Sequence, residues 1–371
     1  MRVVHVTSSE DFITGIDTQV IALATAQRER GFSPVVMTDR PGFLTEACGL
    51  HGIPVTTEQG LKPDSSAWWP PQEKAVRSLM TAFSSRRAEV VHCHSRVAAA
   101  QAFSAGDRLQ VPCVFTFHDT PGDLPHGMAE ILGTRFTIIC VSRIGLDYLK
   151  TEGAPAGNLH YVPHGTELAS PGHSVTPEAH RPNLILVGIL EARKGVDIAV
   201  LAMRELTRRR RQDCPALNIY GTGSKERYFR EMTGVLGLDS VIQFHGSQPG
   251  ILQRCPATDI LIVPSRAEAG PVVVLEAMSR GMPIVASDVG EVAEMLLDPR
   301  YGTIVPVDSA VALADAVDAL LADISAGRFD PELLIARHRS FYTADKMAER
   351  TERVYENALL RHRAGPVSRV G

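Results

Sequence analysis

Short β-branched runs alternate with longer helical patterns along the whole chain, and this alternation constrains the fold more than any other feature. In the first half the runs are RVVHV, SPVVMT, EVVHCH, PCVFTFH and FTIICVS, with NLHYVP a sixth. Between them lie segments such as DTQVIALATAQRER, which Asp17 would N-cap and Gly31 would close. Around residues 165–182 the alternation lapses into GTELASPGHSVTPEAHRP, a linker composition. It restarts with NLILVG, ALNIYG, VIQFHG, DILIVPS, MPIVAS and GTIVPV, and the segment from about Pro331 to His362 reads as helices alone. Alternation of this kind predicts parallel sheets covered on both faces. At 371 residues the chain exceeds what one hydrophobic core serves. The expectation is therefore α/β, with two successive doubly wound, Rossmann-like domains at 1–168 and 169–342 and a terminal segment at 343–371. Such domains bind ligands in the crevice beyond the carboxyl ends of their strands, so function is sought in the loops that follow strands.

The net charge of −4 and the pI of about 6.4 give no electrostatic reason to expect nucleic acid as a ligand. The basic run Arg208–Arg211 reads as a solvated helix end, with a membrane-surface or phosphate patch as the alternative. Six cysteines, scattered and without CxxC spacing, predict a reducing cytoplasm and no disulfides. MRVVHVTSS reads as a first strand rather than a signal peptide, and no apolar stretch approaches the roughly 18 residues of a membrane span. The expected location is cytoplasmic. Peripheral membrane contact and oligomeric state stay open.

SRAEAGPVVVLEAMSRGMPIVAS, Ser265 to Ser287, holds two glutamates, Glu268 and Glu276, in an apolar run. A carboxylate stripped of water needs a bonding partner. The strand DILIVPS ends at Ser265, the loop RAEAG follows, and Pro271 would be a suitable first residue of a helix. An open helix N-terminus offers backbone N–H groups and a positive dipole end to a phosphate. Glu276 would lean back toward that terminus and Glu268 would approach from the loop. Carboxylates on either side of an anion suit a diphosphate whose two ends carry hydroxyls, the form of a sugar nucleotide. Three consecutive valines have poor helix propensity and could instead extend a strand.

PSRAEAGPVVVLEAMSRGMPIVASDVGEVAE resembles the signature of the retaining glycosyltransferases of family four, through Glu268, Glu276, Ala277, Met278, Gly281 and Pro283. The resemblance covers nearly the whole chain. It implies the GT-B fold, two Rossmann-like domains facing across a cleft, with the terminal helices crossing back to the first, acceptor-binding domain. It implies that Glu268 contacts donor-sugar hydroxyls, that Glu276 holds the ribose, and that the backbone of Gly270 to Val273, including Pro271 and Val272, lies near the diphosphate, with Ala269 also at the donor. LILVGILEARKGVDIAVLAM resembles the family's Lys-Gly helix start, where cations neutralise the diphosphate: Lys194 and Gly195 match, Ile189 stands where an arginine is expected, and Arg193 is the nearby alternative. VFTFHD ends in His118, which on its residues alone reads as a structural histidine and by resemblance faces the reacting sugar. His92 and His94 in VHCHSR could be mistaken for metal ligands, but no acidic partner is evident and packing or helix-start roles fit them. Thr14-Gly15-Ile16-Asp17 stands where the family has a glycine pair followed by Glu, with Gly15 the expected backbone contact to donor or acceptor. His245 in FHGS falls in the base-reading loop, and Gly223 in IYGTGSKER lies on the base side. Gly221-x-Gly223 lacks the third glycine of a dinucleotide fingerprint.

The implied reaction moves a sugar from a nucleotide diphosphate, UDP-glucose or UDP-N-acetylglucosamine, to an acceptor hydroxyl with retention. His118, Lys194 and Glu268 are the catalytic candidates. No cofactor and no metal are expected, because Lys194, Arg193 and the helix N-terminus supply the positive charge. Alanine at Glu268, Glu276 or Lys194 is expected to cost orders of magnitude in turnover without unfolding the protein. Glu10, Asp17, Asp119 and His94 are the acceptor-side candidates. With Asp11 and Asp123, these carboxylates would attract a cationic acceptor such as an amino sugar or aminocyclitol, as in the family's antibiotic-building members. Ordinary solvated loops explain them equally well, and a lipid or cell-envelope saccharide is the other acceptor class. Competing readings are an epimerase or hydrolase on the same fold, a non-catalytic sugar-nucleotide-binding subunit, which Ile189 makes conceivable, and a nicotinamide oxidoreductase.

Overall fold

The computed structural model describes residues 1–8, 14–58, 61, 71–122, 129, 133, 136–168 and 181–364. In chain order the first elements are β1 (Arg2–Val6), α1 (Gly15–Glu29), β2 (Ser33–Thr38), α2 (Phe43–Leu50), β3 (Val55–Thr57), α3 (Glu73–Ser85) and β4 (Val90–Cys93). Then come α4 (Arg96–Leu109), β5 (Cys113–Phe117), β6 (Thr137–Cys140), α5 (Arg143–Thr151) and β7 (Leu159–Tyr161). The second series is β8 (Leu184–Val187), α6 (Val196–Arg210), β9 (Leu217–Tyr220), α7 (Glu226–Val235), β10 (Ile242–Phe244) and β11 (Ile260–Val263). It continues with α8 (Val272–Ser279), β12 (Ile284–Ser287), α9 (Val292–Met295), β13 (Thr303–Val305), α10 (Ala310–Ser325) and α11 (Pro331–Phe341), and the last helix is α12 (Ala344–Ala364).

These elements form two compact units, one of Met1–Gly165 with α12, the other of Thr166–Thr343. The first has a seven-stranded parallel sheet in the order β3-β2-β1-β4-β5-β6-β7. Alternate strand residues feed opposite faces, as the two-residue period requires. Val4, Val6, Val91, Cys93, Phe115 and Ile138 pack with α3 and α4, whereas Val3, Val90, Val114 and Ile139 pack with α1 and α12. The second unit has a six-stranded parallel sheet, β10-β9-β8-β11-β12-β13. Leu184, Leu217, Ile260 and Val285 face α6 and α10, and Ile185, Leu261, Val263 and Ile284 face α8 and α11. Twelve of the thirteen described strands are runs read from the sequence; the edge strand β3, Val-Thr-Thr, holds a single apolar residue and shows no apolar run.

Two local expectations are corrected. The N-cap of α1 is Thr14, not Asp17: Asp17 sits at the third helical position, where its carboxylate accepts from the Thr14 backbone N–H in a capping box. The valine triplet at 272–274 forms the first turn of α8 rather than a strand, and Pro271 is its cap rather than its first residue. The basic run closes α6 as a largely solvated helix end, as expected, and its charges are paired: Arg208 with Glu205, Arg209 with Asp315 and Asp318, and Arg210 with Asp318 of α10. All six cysteines are free thiols, and no described helix is long and apolar enough to cross a membrane.

Candidate active site

In the second unit the strand-loop-helix step from β11 to α8 gathers the strongest candidates. Ser265, two residues past the strand, is fully buried, and the chain turns so that Glu268, 8% exposed, points inward. Glu268 Oε1 accepts from Lys194 Nζ at 2.5 Å and from Ser265 Oγ at 2.8 Å. This is the partner that a carboxylate in an apolar run demands. Lys194 reaches it from a 3₁₀ turn, Ala192–Lys194, that leads into α6. The turn can lie there because residue 195 is glycine: its φ is +63°, and a Cβ would stand 1.9 Å from the Pro264 carbonyl oxygen.

A residue the motif did not advertise locks this arrangement. Arg266 forks onto Asp197 of α6 at 2.9 and 2.7 Å, bonds Asp308 at 2.6 Å and the Ala192 carbonyl at 2.5 Å, and its backbone N–H donates to Arg193 O at 2.7 Å. The loop carrying Glu268 and the turn carrying Lys194 are thereby tied together. The signal was present as an arginine at 266 and an aspartate at 197, but nothing local shows that they meet.

Ala269, Gly270 and Pro271 are buried, and the helix begins at Val272; among the described residues no side chain caps it. The N–H groups of Val272 and Val273 have no side-chain cap among the described residues, as an anion site requires, whereas that of Val274 donates to the Pro271 carbonyl at 3.1 Å. Glu276 lies one turn further on, half-buried, and its carboxylate has no hydrogen-bonding partner among the described residues. Burial pushes its carboxyl up to about 7. Arg193 is half-exposed and paired with Glu191 at 3.6 Å rather than joined to Glu268. Ile189 leaves the arginine position of the family pattern apolar. Gly223 is packed against the loop after β8, where a Cβ would come within 2.5 Å of Leu190 O. His245 is exposed, stacks on Tyr220 at 4.7 Å and contacts Asn218 Oδ1 at 2.8 Å.

The first unit holds a run of hydrogen-bonded histidines where the strands β1, β4 and β5 end. His5 Nε2 contacts Gln27 Oε1 at 2.8 Å, and His5 Nδ1 contacts His94 Nε2 at 3.0 Å. His94 Nδ1 contacts His118 Nε2 at 3.4 Å, and His118 Nδ1 contacts His164 Nε2 at 3.1 Å. His92, paired in register with His5 across the strands, bonds Tyr355 of α12 and Thr116, both at 2.6 Å. Burial holds His92, His94 and His118 well below the ordinary histidine value and takes His5 down to about 4, so these rings are neutral. His5, His92 and His94 stand close enough together to suggest a metal, yet every ring nitrogen of the three already faces a protein partner. A cavity of about 20 Å³ adjoins them, lined also by Gln19, whose amide nitrogen is buried without a partner.

The acceptor-side expectations fare differently. His94 is 4% exposed with both nitrogens engaged, so it supports its neighbours rather than presenting itself to a ligand. Asp17 is 2% exposed and committed to its capping box. Asp119 is paired with Arg96 at 3.3 Å, which offsets its charge. Glu10, Asp11 and Asp123 lie outside the described residues. The pool of carboxylates expected to draw a cation is thus smaller than the sequence suggested. His118 is half-buried, and both its nitrogens face histidines. Gly15 is the first residue of α1, with Thr14 capping it.

Two parallel-sheet α/β units, the second bearing an acidic pair on a strand-loop-helix step, have the GT-B glycosyltransferase fold. The crystal structure of Anabaena HepE in complex with UDP-glucose is similar, with a TM-score of 0.81 at 16% identity, covering 96% of this chain and 100% of that one. The description Glycosyltransferase Family 4 matches residues 13–170, and Glycosyl transferases group 1 matches residues 181–323. The chain belongs to the family-four, group 1 glycosyltransferases. Among its relatives is a D-inositol 3-phosphate glycosyltransferase of Xylanimonas cellulosilytica, 25% identical over 351 residues, 83% of this chain and 80% of that protein. Another is the alpha-D-kanosaminyltransferase of Streptomyces kanamyceticus, 35% identical over 145 residues, 38% of this chain and 37% of that protein.

Proposed function

We propose that this glycosyltransferase moves a sugar from a UDP-linked donor to a hydroxyl of a small polyhydroxylated ring, with retention and without a metal ion. The observation that carries the reading is the Lys194–Glu268 pair beside the N-terminus of α8, with the unpartnered Glu276 one turn beyond. In this reading the diphosphate takes Lys194 and the helix N–H groups, the sugar hydroxyls take Glu268, and the ribose hydroxyls take Glu276. The bond from the anomeric carbon to the phosphate oxygen breaks with its electron pair going to that oxygen. The acceptor oxygen bonds to the same face of the sugar, and its proton passes to the departing phosphate oxygen. Lys194 and the helix dipole meet the negative charge that develops. UDP is favoured by the HepE complex, and a ring-shaped acceptor by the inositol phosphate named for the Xylanimonas relative.

Calorimetric titration with UDP-glucose, UDP-N-acetylglucosamine and a GDP-sugar tests the donor. Transfer to inositol phosphates and aminocyclitols, with and without EDTA, tests the rest, and NMR of the product reads its anomeric configuration. One UDP-sugar should bind, the chelator should leave the rate unchanged, and the product should keep the donor's configuration. Failure of every nucleotide sugar to bind, or release of free or epimerised sugar whatever the acceptor, would overturn the proposal.

A further inference from the structure

The first unit contains more hydrogen-bonded imidazole than a packed core needs, and its proton positions can be worked out one ring at a time. Gln27, fully buried, donates from its amide nitrogen to Tyr355 Oη at 3.1 Å, so its oxygen is the atom facing His5 Nε2. An amide oxygen only accepts, and His5 must therefore carry its proton on Nε2. In a neutral ring the other nitrogen is then a bare acceptor, so His94 donates from Nε2 to His5 Nδ1. The same step repeats from His94 to His118 and from His118 to His164. Tyr355 accepts from Gln27 and has one proton left, which goes to His92 Nδ1, leaving His92 to donate from Nε2 to Thr116. Every ring ends in the same tautomer. Reversing the single amide of Gln27 would require every ring to reverse as well.

We infer that Gln27 is a positioning residue for His118: the set of its carboxamide fixes, through His5 and His94, which nitrogen of His118 carries the proton. His118 thereby presents Nε2 as a donor. Its contact to His94, at 3.4 Å, is the longest link of the run, so a ligand oxygen can take over that proton at the least cost. A ring with the opposite tautomer would meet the same oxygen with a lone pair. Only this catalytic consequence rests on the transfer reaction proposed above; the proton arrangement does not.

Long-range proton–nitrogen NMR of protein with ¹⁵N-labelled histidine distinguishes the two neutral tautomers directly, whether or not the protein transfers sugar. In the unsubstituted protein at pH 7.5, His5, His92, His94 and His118 should all be protonated on Nε2. In Gln27→Met, which keeps the side-chain length and removes both the donor and the acceptor, His5, His94 and His118 should show mixed tautomers. Turnover should fall about tenfold, the loss expected when one hydrogen bond from His118 to the reacting sugar is misdirected, with the donor KM unchanged. A proton on Nδ1 of any of the four rings in the unsubstituted protein overturns the inference, and so does a Gln27→Met protein with unaltered tautomers. Altered tautomers with unaltered kcat would overturn the link to His118 catalysis. Should Gln27→Met fail to fold, the measurement on the unsubstituted protein still decides.

Discussion

Lys194 and Glu268 answer each other's charge in a place with little water, and this governs what their removal does. Truncating one member of such a pair leaves the other uncompensated, at a cost of about 3 kcal/mol. Lys194→Met and Glu268→Gln are therefore expected to lower stability as well as turnover, while leaving the protein folded. In a double-mutant cycle followed by urea denaturation, the double variant should be about 2 kcal/mol more stable than the sum of the single losses requires. Glu276 behaves differently, because its carboxyl is held up to about 7 by burial with no cation beside it. If ribose hydroxyls donate to it, only the ionised form binds well, so donor affinity should rise with pH between about 6 and 8 and level off above. Calorimetry should show that slope in the unsubstituted protein and lose it in Glu276→Gln. Both glutamates were legible because the chemistry of the loop is local, a charge stranded among valines. Gln27 and Tyr355 were not: they stand 328 positions apart, and only the packing of two helices on one sheet face makes them neighbours.

At the scale of elements, the placement of Lys194 depends on one backbone position. Gly195 combines φ +63° with an approach to the Pro264 carbonyl that no side chain can share, because both partners are backbone. Gly195→Ala is expected to cost more than about 2 kcal/mol, and a crystal structure of the variant should show the start of α6 displaced from the end of β11. The strands were readable because a buried parallel strand is an apolar run bounded by turns, and this chain has few other apolar runs. The valine triplet was ambiguous for the opposite reason, since β-branched residues argue against the helix they form. Tertiary context decides it: Val274 and Leu275 are fully buried in the core shared with α11, which one face of a helix can reach. The brace made by Arg266 is not legible in the sequence, because an arginine in a loop reads as solvent-facing and its partners Asp197, Asp308 and Ala192 O lie on other segments.

The whole molecule should carry an acid signature. A histidine whose folded value lies below its ordinary 6.5 binds protons more readily once unfolded, so its stabilising contribution is complete above about pH 6.5 and is lost as pH falls toward 4. His5, at about 4, would give up on the order of 3 kcal/mol over that span, and His92, His94 and His118 act in the same direction. His338, also taken to about 4 by burial, adds a similar term in the second unit, while Glu276 opposes both. Urea midpoints should therefore fall steeply between pH 6.5 and 4.5, before most paired carboxylates titrate; a flat profile in that window would contradict the neutral histidine run. The last helix, α12, belongs to the first unit and contributes Tyr355 to its interior. During synthesis the residues up to Gly165 leave the ribosome well ahead of it, by roughly 10 to 40 seconds at ordinary elongation rates. For that interval the nascent unit exposes the apolar face that Met347, Val354, Tyr355 and Ala358 will cover, and chaperone dependence should concentrate there.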